Sequence, residues 1–202
     1  MGQRTLTIGR PPRTLAACLE LPDGTPHAGA IVCHPHPEYG GDMENAVVVA
    51  VARALARVGI SALRFDFGTF SGGGAEVEDA HTALAALRDA LPAGAPLALV
   101  GYSFGAWVAL RAAHEGAEVA HVVAVAPPLA FLDWAFLPAL RVPVAFIVGD
   151  ADQFCDGGRL HRVPEAIRVR VLAGADHFLV RREADVAAAV VTELGTLSAQ
   201  PS

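Results

Sequence analysis

At 202 residues the chain can form one domain with a substantial core, and its hydrophobic content of 53% fits a sheet covered on both faces. A net charge of −6 argues against nucleic acid or an anionic membrane as partner, and Arg, Pro, His or Asp cuts each apolar stretch too early to span a bilayer. All fifteen basic residues are Arg, which excludes Schiff-base, pyridoxal-phosphate and P-loop lysine chemistry.

Taken in chain order, Arg4 to Ile8 and Leu15 to Leu21 read as two edge strands joined through Pro11-Pro12, and Ala28 to Cys33 as the next strand. Asp42 is placed to cap a helix over Met43 to Val58, with Gly59 as its stop. Ser61 to Phe65 is a strand. Ser71-Gly72-Gly73-Gly74 after it lacks both the Walker lysine and a dinucleotide spacing, so it reads as a flexible connection. Ala75 to Leu91 is a helix with Glu76, Glu78 and Asp79 in its first turn, where the helix dipole favours acids. Further strands are expected at Leu97 to Tyr102, His121 to Val125, Val144 to Val148 and Val169 to Leu172, before a last helix from about Arg182 to Leu197. This alternation predicts a parallel sheet with right-handed crossovers. The whole chain, 1–202, reads as one domain with its core at about 28–197.

Cys18, Cys33 and Cys155 are scattered and odd in number, and no apolar run follows Met1 as in a signal peptide. The expectation is a cytoplasmic protein without a disulfide framework. Cys18 and Cys33 fall in predicted strands as buried residues. Cys155 follows a loop and is expected to be accessible, as a bystander thiol.

Chemistry concentrates at Gly101-Tyr102-Ser103-Phe104-Gly105, between an apolar strand and the helix from Ala106 to His114. A serine at the apex of a sharp strand-to-helix turn is a nucleophile elbow, in which the hydroxyl is exposed beside the helix N-terminus. A serine needs a base, and the base an orienting acid. Both follow at strand ends, as Gly149-Asp150-Ala151-Asp152 and Gly174-Ala175-Asp176-His177. Ser103 is therefore the expected nucleophile, Asp152 the acid and His177 the general base. Asp150, Asp156 and Asp176 are neighbouring carboxylates.

These loops resemble those of the α/β-hydrolase superfamily. The run His34-Pro35-His36-Pro37-Glu38-Tyr39-Gly40-Gly41-Asp42-Met43-Glu44-Asn45 narrows the resemblance to small bacterial hydrolases near the dienelactone hydrolases. The elbow departs from dienelactone hydrolases proper in having serine where they have cysteine. The resemblance implies an α/β-hydrolase fold, a mostly parallel twisted sheet of about seven to eight strands with helices on both faces and a minimal lid. It implies carboxylesterase-type activity on small esters. It also implies an oxyanion hole from the backbone N–H groups of His36 and Phe104, and it leaves Asp133 as an alternative acid. Thioester and small-peptide substrates suit the same triad, and a non-catalytic binding module is the reading from another class. No cofactor is expected.

His34 and His36 lack a third ligand at a supporting spacing, so no metal is expected and His34 is assigned to bracing its loop. Between Ala126 and Val144 there is room for one short helix carrying Leu129, Phe131, Trp134, Phe136 and Leu137. Phe131 and Trp134, with Tyr39, are the candidate substrate-lining residues of an open site. Oligomeric state is not legible from these features.

Overall fold

Five apolar runs form the centre of an eight-stranded sheet in a computed structural model that describes residues 1–155, 157–195 and 197. They are β3 (Ala28–Cys33), β4 (Ile60–Phe65), β5 (Leu97–Tyr102), β6 (His121–Val125) and β7 (Val144–Gly149), each buried along its whole length. A strand covered on both faces needs apolar residues throughout rather than in alternation, which is why these runs are continuous. β1 (Gly2–Arg10) and β2 (Arg13–Leu21) form an antiparallel ribbon, and β8 (Arg168–Leu172) is an exposed strand at the far edge. The order is β1-β2-β4-β3-β5-β6-β7-β8, with β2 antiparallel to β4 and every later pairing parallel. β2 is therefore not an edge strand as expected, because it pairs with both β1 and β4.

α1 (Ala46–Arg57) and α5 (Glu183–Leu194) pack together over one face, while α2 (Gly74–Asp89) and α3 (Phe104–His114) pack over the other. The chain leaves β3 through α1 to β4 on one side, then returns through α2 to β5 on the other. Strand order reverses around β3, and the carboxyl ends of β3 and β5 lie side by side with Cys33 opposite Gly101. This is the type of crevice in which open α/β sheets bind ligands.

Four local expectations are corrected. Asn45, not Asp42, caps α1, with its Oδ1 accepting from Val47 N at 3.0 Å; Asp42 instead closes the preceding turn by accepting from Glu44 N at 2.9 Å. The Ser71–Gly74 connection is pinned, since the buried Glu76 carboxylate accepts from Ser71 N, Ser71 Oγ and Gly73 N at 2.7, 2.8 and 2.8 Å. Burial alone would push the Glu76 carboxyl up, but these bonds bring it below its ordinary value. Cys155 is buried, as are Cys18 and Cys33. The passage before β7 holds only a single 3-10 turn, Leu137–Ala139, where a short helix was expected. A further short helix, α4 (Gly157–Leu160), follows the acid loop.

Candidate active site

Two glycines set the elbow. A Cβ on Gly101 would lie 2.0 Å from the Gly105 carbonyl, and one on Gly105 would lie 2.3 Å from the Cys33 carbonyl. Their absence lets α3 start directly against the ends of β5 and β3. Ser103 sits between them at φ 55°, ψ −117°, with its N–H bonded to Val125 O at 2.9 Å. This is strained backbone for a residue with a side chain. Phe104 is the first residue of α3, so its N–H has no intrahelical carbonyl to bond.

The acid and histidine loops are packed into each other. A Cβ on Gly149 would meet the Ala175 carbonyl at 2.0 Å, and that carbonyl accepts from Ala151 N at 3.1 Å. Asp152, three residues beyond Gly149, and His177, two beyond Ala175, are both buried and face each other. His177 Nδ1 lies 2.9 Å from Asp152 Oδ2 and 3.1 Å from Oδ1, and its Nε2 lies 2.9 Å from Ser103 Oγ. With Nδ1 donating to the carboxylate, Nε2 is left as the acceptor for the serine hydroxyl. Tyr102, just before Ser103, ties down the histidine loop by donating from its hydroxyl to His177 O at 3.0 Å.

The other carboxylates are engaged elsewhere. Asp133 Oδ1 accepts from Ala135 N, Asp150 Oδ1 from Gly174 N, and Asp176 Oδ1 from Phe178 N and Leu179 N. Asp156 lies outside the described residues.

The loop after β3 is held from its neighbour β4. His34 Nε2 accepts from Phe67 N at 3.1 Å, and its Nδ1 donates to Pro35 O at 2.6 Å. Both ring nitrogens are thus occupied in bracing, and burial pushes the imidazole below its ordinary pKa, so it stays neutral. Met43 is gripped at both backbone groups, its N–H by Asp66 Oδ1 at 2.8 Å and its carbonyl by Arg64 Nη1 at 3.0 Å. Arg64 is itself buried, in ion pairs with Glu44 and Glu20. Gly41 allows the loop to fold on itself, because a Cβ there would lie 2.1 Å from Pro35 O. His36 lies against the elbow, its ring 5.0 Å from that of Phe104.

Aromatic rings surround these groups. Phe70 packs on His36 at 4.4 Å and Tyr39, highly exposed, at 4.7 Å. On the histidine side Phe154 meets the His177 ring at 4.7 Å, Phe178 meets it at 5.8 Å, and Phe131 packs on Phe154 at 5.1 Å. Trp134 is placed differently. It stacks on Phe136, which lies against His114 at the end of α3 opposite Ser103. Phe70, Phe154 and Phe178 had no sequence signal beyond being aromatic near a motif. Among the described residues no three His, Cys, Asp or Glu side chains gather as a metal site, and no helix is long and apolar enough to cross a membrane. A broad groove of about 920 Å³ lies instead among Arg88, Pro92, Leu97, His121 and Pro143, at the opposite end of the strands.

An elbow of this form on this sheet is found in α/β hydrolases, and the chain belongs to that family. A family model described as an alpha/beta hydrolase domain matches residues 30–192. An uncharacterized protein of Rickettsia prowazekii is 33% identical over 168 residues, covering 74% of this chain and 71% of that one. A lidless α/β serine hydrolase of Xanthomonas campestris has 29% identity and a TM-score of 0.86, with 99% of this chain and 97% of that chain covered. A serine hydrolase homologue of Coxiella burnetii has 28% identity and a TM-score of 0.85, with 95% and 97% covered.

Proposed function

We propose that the protein hydrolyses small carboxylic esters through an acyl-enzyme on Ser103. The observation that carries this reading is the continuous hydrogen-bonded row from Ser103 Oγ through His177 to Asp152, with both steps at 2.9 Å and the serine on a strained elbow. His177 Nε2 takes the hydroxyl proton as Oγ attacks the ester carbonyl carbon. Asp152 stabilises the imidazolium and keeps Nδ1 protonated. The tetrahedral oxyanion is held by the N–H groups of Phe104 and His36. Its collapse breaks the bond to the alcohol oxygen, which leaves with the proton from Nε2. Water then attacks the acyl carbon, gives its proton to His177, and the acid leaves as Ser103 regains its hydroxyl.

A fluorophosphonate should add once, on the peptide containing Ser103, and Ser103→Ala should lose on the order of 10⁴-fold in kcat on p-nitrophenyl acetate. Absence of labelling on folded protein, or turnover that survives the substitution, overturns the reading. It also separates an enzyme from a binding module of the same fold.

A further inference from the structure

We propose that the esters cleaved carry an apolar aromatic alcohol, bound against Phe131, Phe154 and Phe178; this rests on the serine-hydrolase reading above. The placement follows from the chemistry of the second half-reaction. The leaving oxygen must receive its proton from His177 Nε2, so the alcohol portion lies beside the imidazole. The rings bordering that imidazole are Phe154, at 4.7 Å and 69°, and Phe178, at 5.8 Å and 86°. Both meet it edge to face. Phe131 extends the row by packing edge-on against Phe154 at 5.1 Å.

These rings come from three separate loops, after β6, β7 and β8, and the structure gives two of them little to cover. Phe131 is 53% exposed and Phe178 is 60% exposed, with Leu132 and Val180 beside them in sequence also exposed. Exposed apolar side chains scattered singly need no explanation, but Phe178 against His177 and Phe131 joined to His177 through Phe154 adjoin one imidazole. The backbone holds the set out at some cost. Leu132 has φ 62° and Leu179 φ 53°, which is left-handed backbone for residues that rarely adopt it. Leu179 is buried while Phe178 and Val180 project on either side of it. The segment is anchored by Asp176 Oδ1, which accepts from the N–H groups of Phe178 and Leu179 at 3.0 and 3.1 Å. Ala130 N is bonded to Phe154 O at 2.9 Å, which joins the Phe131 loop to the Phe154 loop. Edges and faces of fixed rings favour a flat aromatic guest over a flexible aliphatic one of equal area, because the guest loses fewer rotamers on binding.

The test uses acetate esters of alcohols of similar acidity, namely ethyl, butyl, benzyl and 2-phenylethyl, on the wild-type protein and on Phe131→Ala and Phe178→Ala. Both residues are exposed, so both variants should melt with the wild type. Wild-type kcat/KM should rise at least about tenfold from ethyl to benzyl acetate, chiefly through KM. In each variant the ratio of kcat/KM for benzyl or 2-phenylethyl acetate to that for ethyl acetate should fall about three- to tenfold. Benzyl alcohol should inhibit the wild type competitively and each variant more weakly. Equal kcat/KM for butyl and benzyl acetate, or an equal loss on ethyl and benzyl acetate in the variants, overturns the proposal. So does retention of the benzyl preference in variants that have lost binding to phosphatidylcholine vesicles, since the rings would then serve a lipid surface. If the fluorophosphonate labels Ser103 while these ratios are flat, only the alcohol subsite fails. If it does not label Ser103, the serine-hydrolase reading fails first.

Discussion

Ser103 shows what the site costs at the level of one residue. Its φ of 55° and ψ of −117° are open to glycine and strained for any side chain, and such strain is worth roughly 1–3 kcal/mol. Ser103→Gly should abolish turnover and still unfold at a higher urea concentration than Ser103→Ala, by about 1 kcal/mol after the added chain entropy of glycine is subtracted. A lower urea midpoint for Ser103→Gly would mean the elbow stores no strain. The row Ser103–His177–Asp152 could be assembled from the sequence because the loops that carry it meet at glycines with a steric task. Gly101 and Gly105 let α3 close on the sheet, and Gly149 lets the acid loop touch the histidine loop. Those contacts require glycine at fixed offsets, and fixed offsets can be read. Phe154 and Phe178 had no such mark, because a phenylalanine in a loop has no period and its contact with His177 depends on the path of the loop. The helix dipole accounts for Glu76 and Asp79 only in part. Only Glu76 falls in the first turn of α2, and both are buried, as acceptors for Ser71, Gly73 and Gly68 amides in the preceding loop.

Between elements, the end of β4 supports the loop that carries His36. Arg64 in β4, and Asp66 and Phe67 just after it, hold Met43 O, Met43 N–H and His34 Nε2, so both flanks of His36 are fixed from one stretch of chain. The sequence placed this strand correctly but gave no reason to connect it with the loop before α1, since parallel neighbours are paired only by the crossover. Asp66→Ala leaves the Met43 amide without its acceptor and frees one flank. Because the oxyanion forms only after attack, the loss should fall on kcat, by about tenfold, with KM within about twofold. Asp66→Asn keeps a carbonyl oxygen in place and should retain most of the rate. Steady-state kinetics on ethyl acetate separate these outcomes, and a higher KM at unchanged kcat would assign Asp66 to substrate binding instead.

At the scale of the molecule, two buried histidines disfavour the folded state at acid pH, and a short, pinned passage lies beside the crevice. Burial lowers the pKa of His34, against the Pro35 carbonyl and the Asp66 and Asp42 charges; burial and then Arg168 lower that of His121, against Glu193. In the unfolded chain both return to about 6.5. Below that value the unfolded state takes up protons that the folded state refuses, so the stabilisation is complete above 6.5 and is lost as pH falls. The melting temperature should therefore decline from pH 7 to pH 5.5, less steeply in His121→Gln; a level profile in that window would contradict it. The crevice at the reversal of strand order, meanwhile, is left open by the passage from Ala126 to Pro143. That passage has one 3-10 turn, and its Phe136 and Leu137 are buried in the core. It is tied at Asp133 O by Trp107 Nε1 and at Ala130 N by Phe154 O, each at 2.9 Å. A segment anchored at its middle and sunk into the core cannot swing as a cover. The rate on 2-phenylethyl acetate should accordingly saturate smoothly through its solubility limit, with no jump when droplets form. A deep tunnel would gain about 0.8 kcal/mol, roughly fourfold in kcat/KM, for each buried CH₂ of the acyl chain. In an open crevice that gain should stop after a few carbons, so p-nitrophenyl esters should peak at short acyl lengths. A kcat/KM that climbs steadily to long chains, or an abrupt rise at the micellar threshold, would show that the passage from Ala126 to Pro143 moves after all.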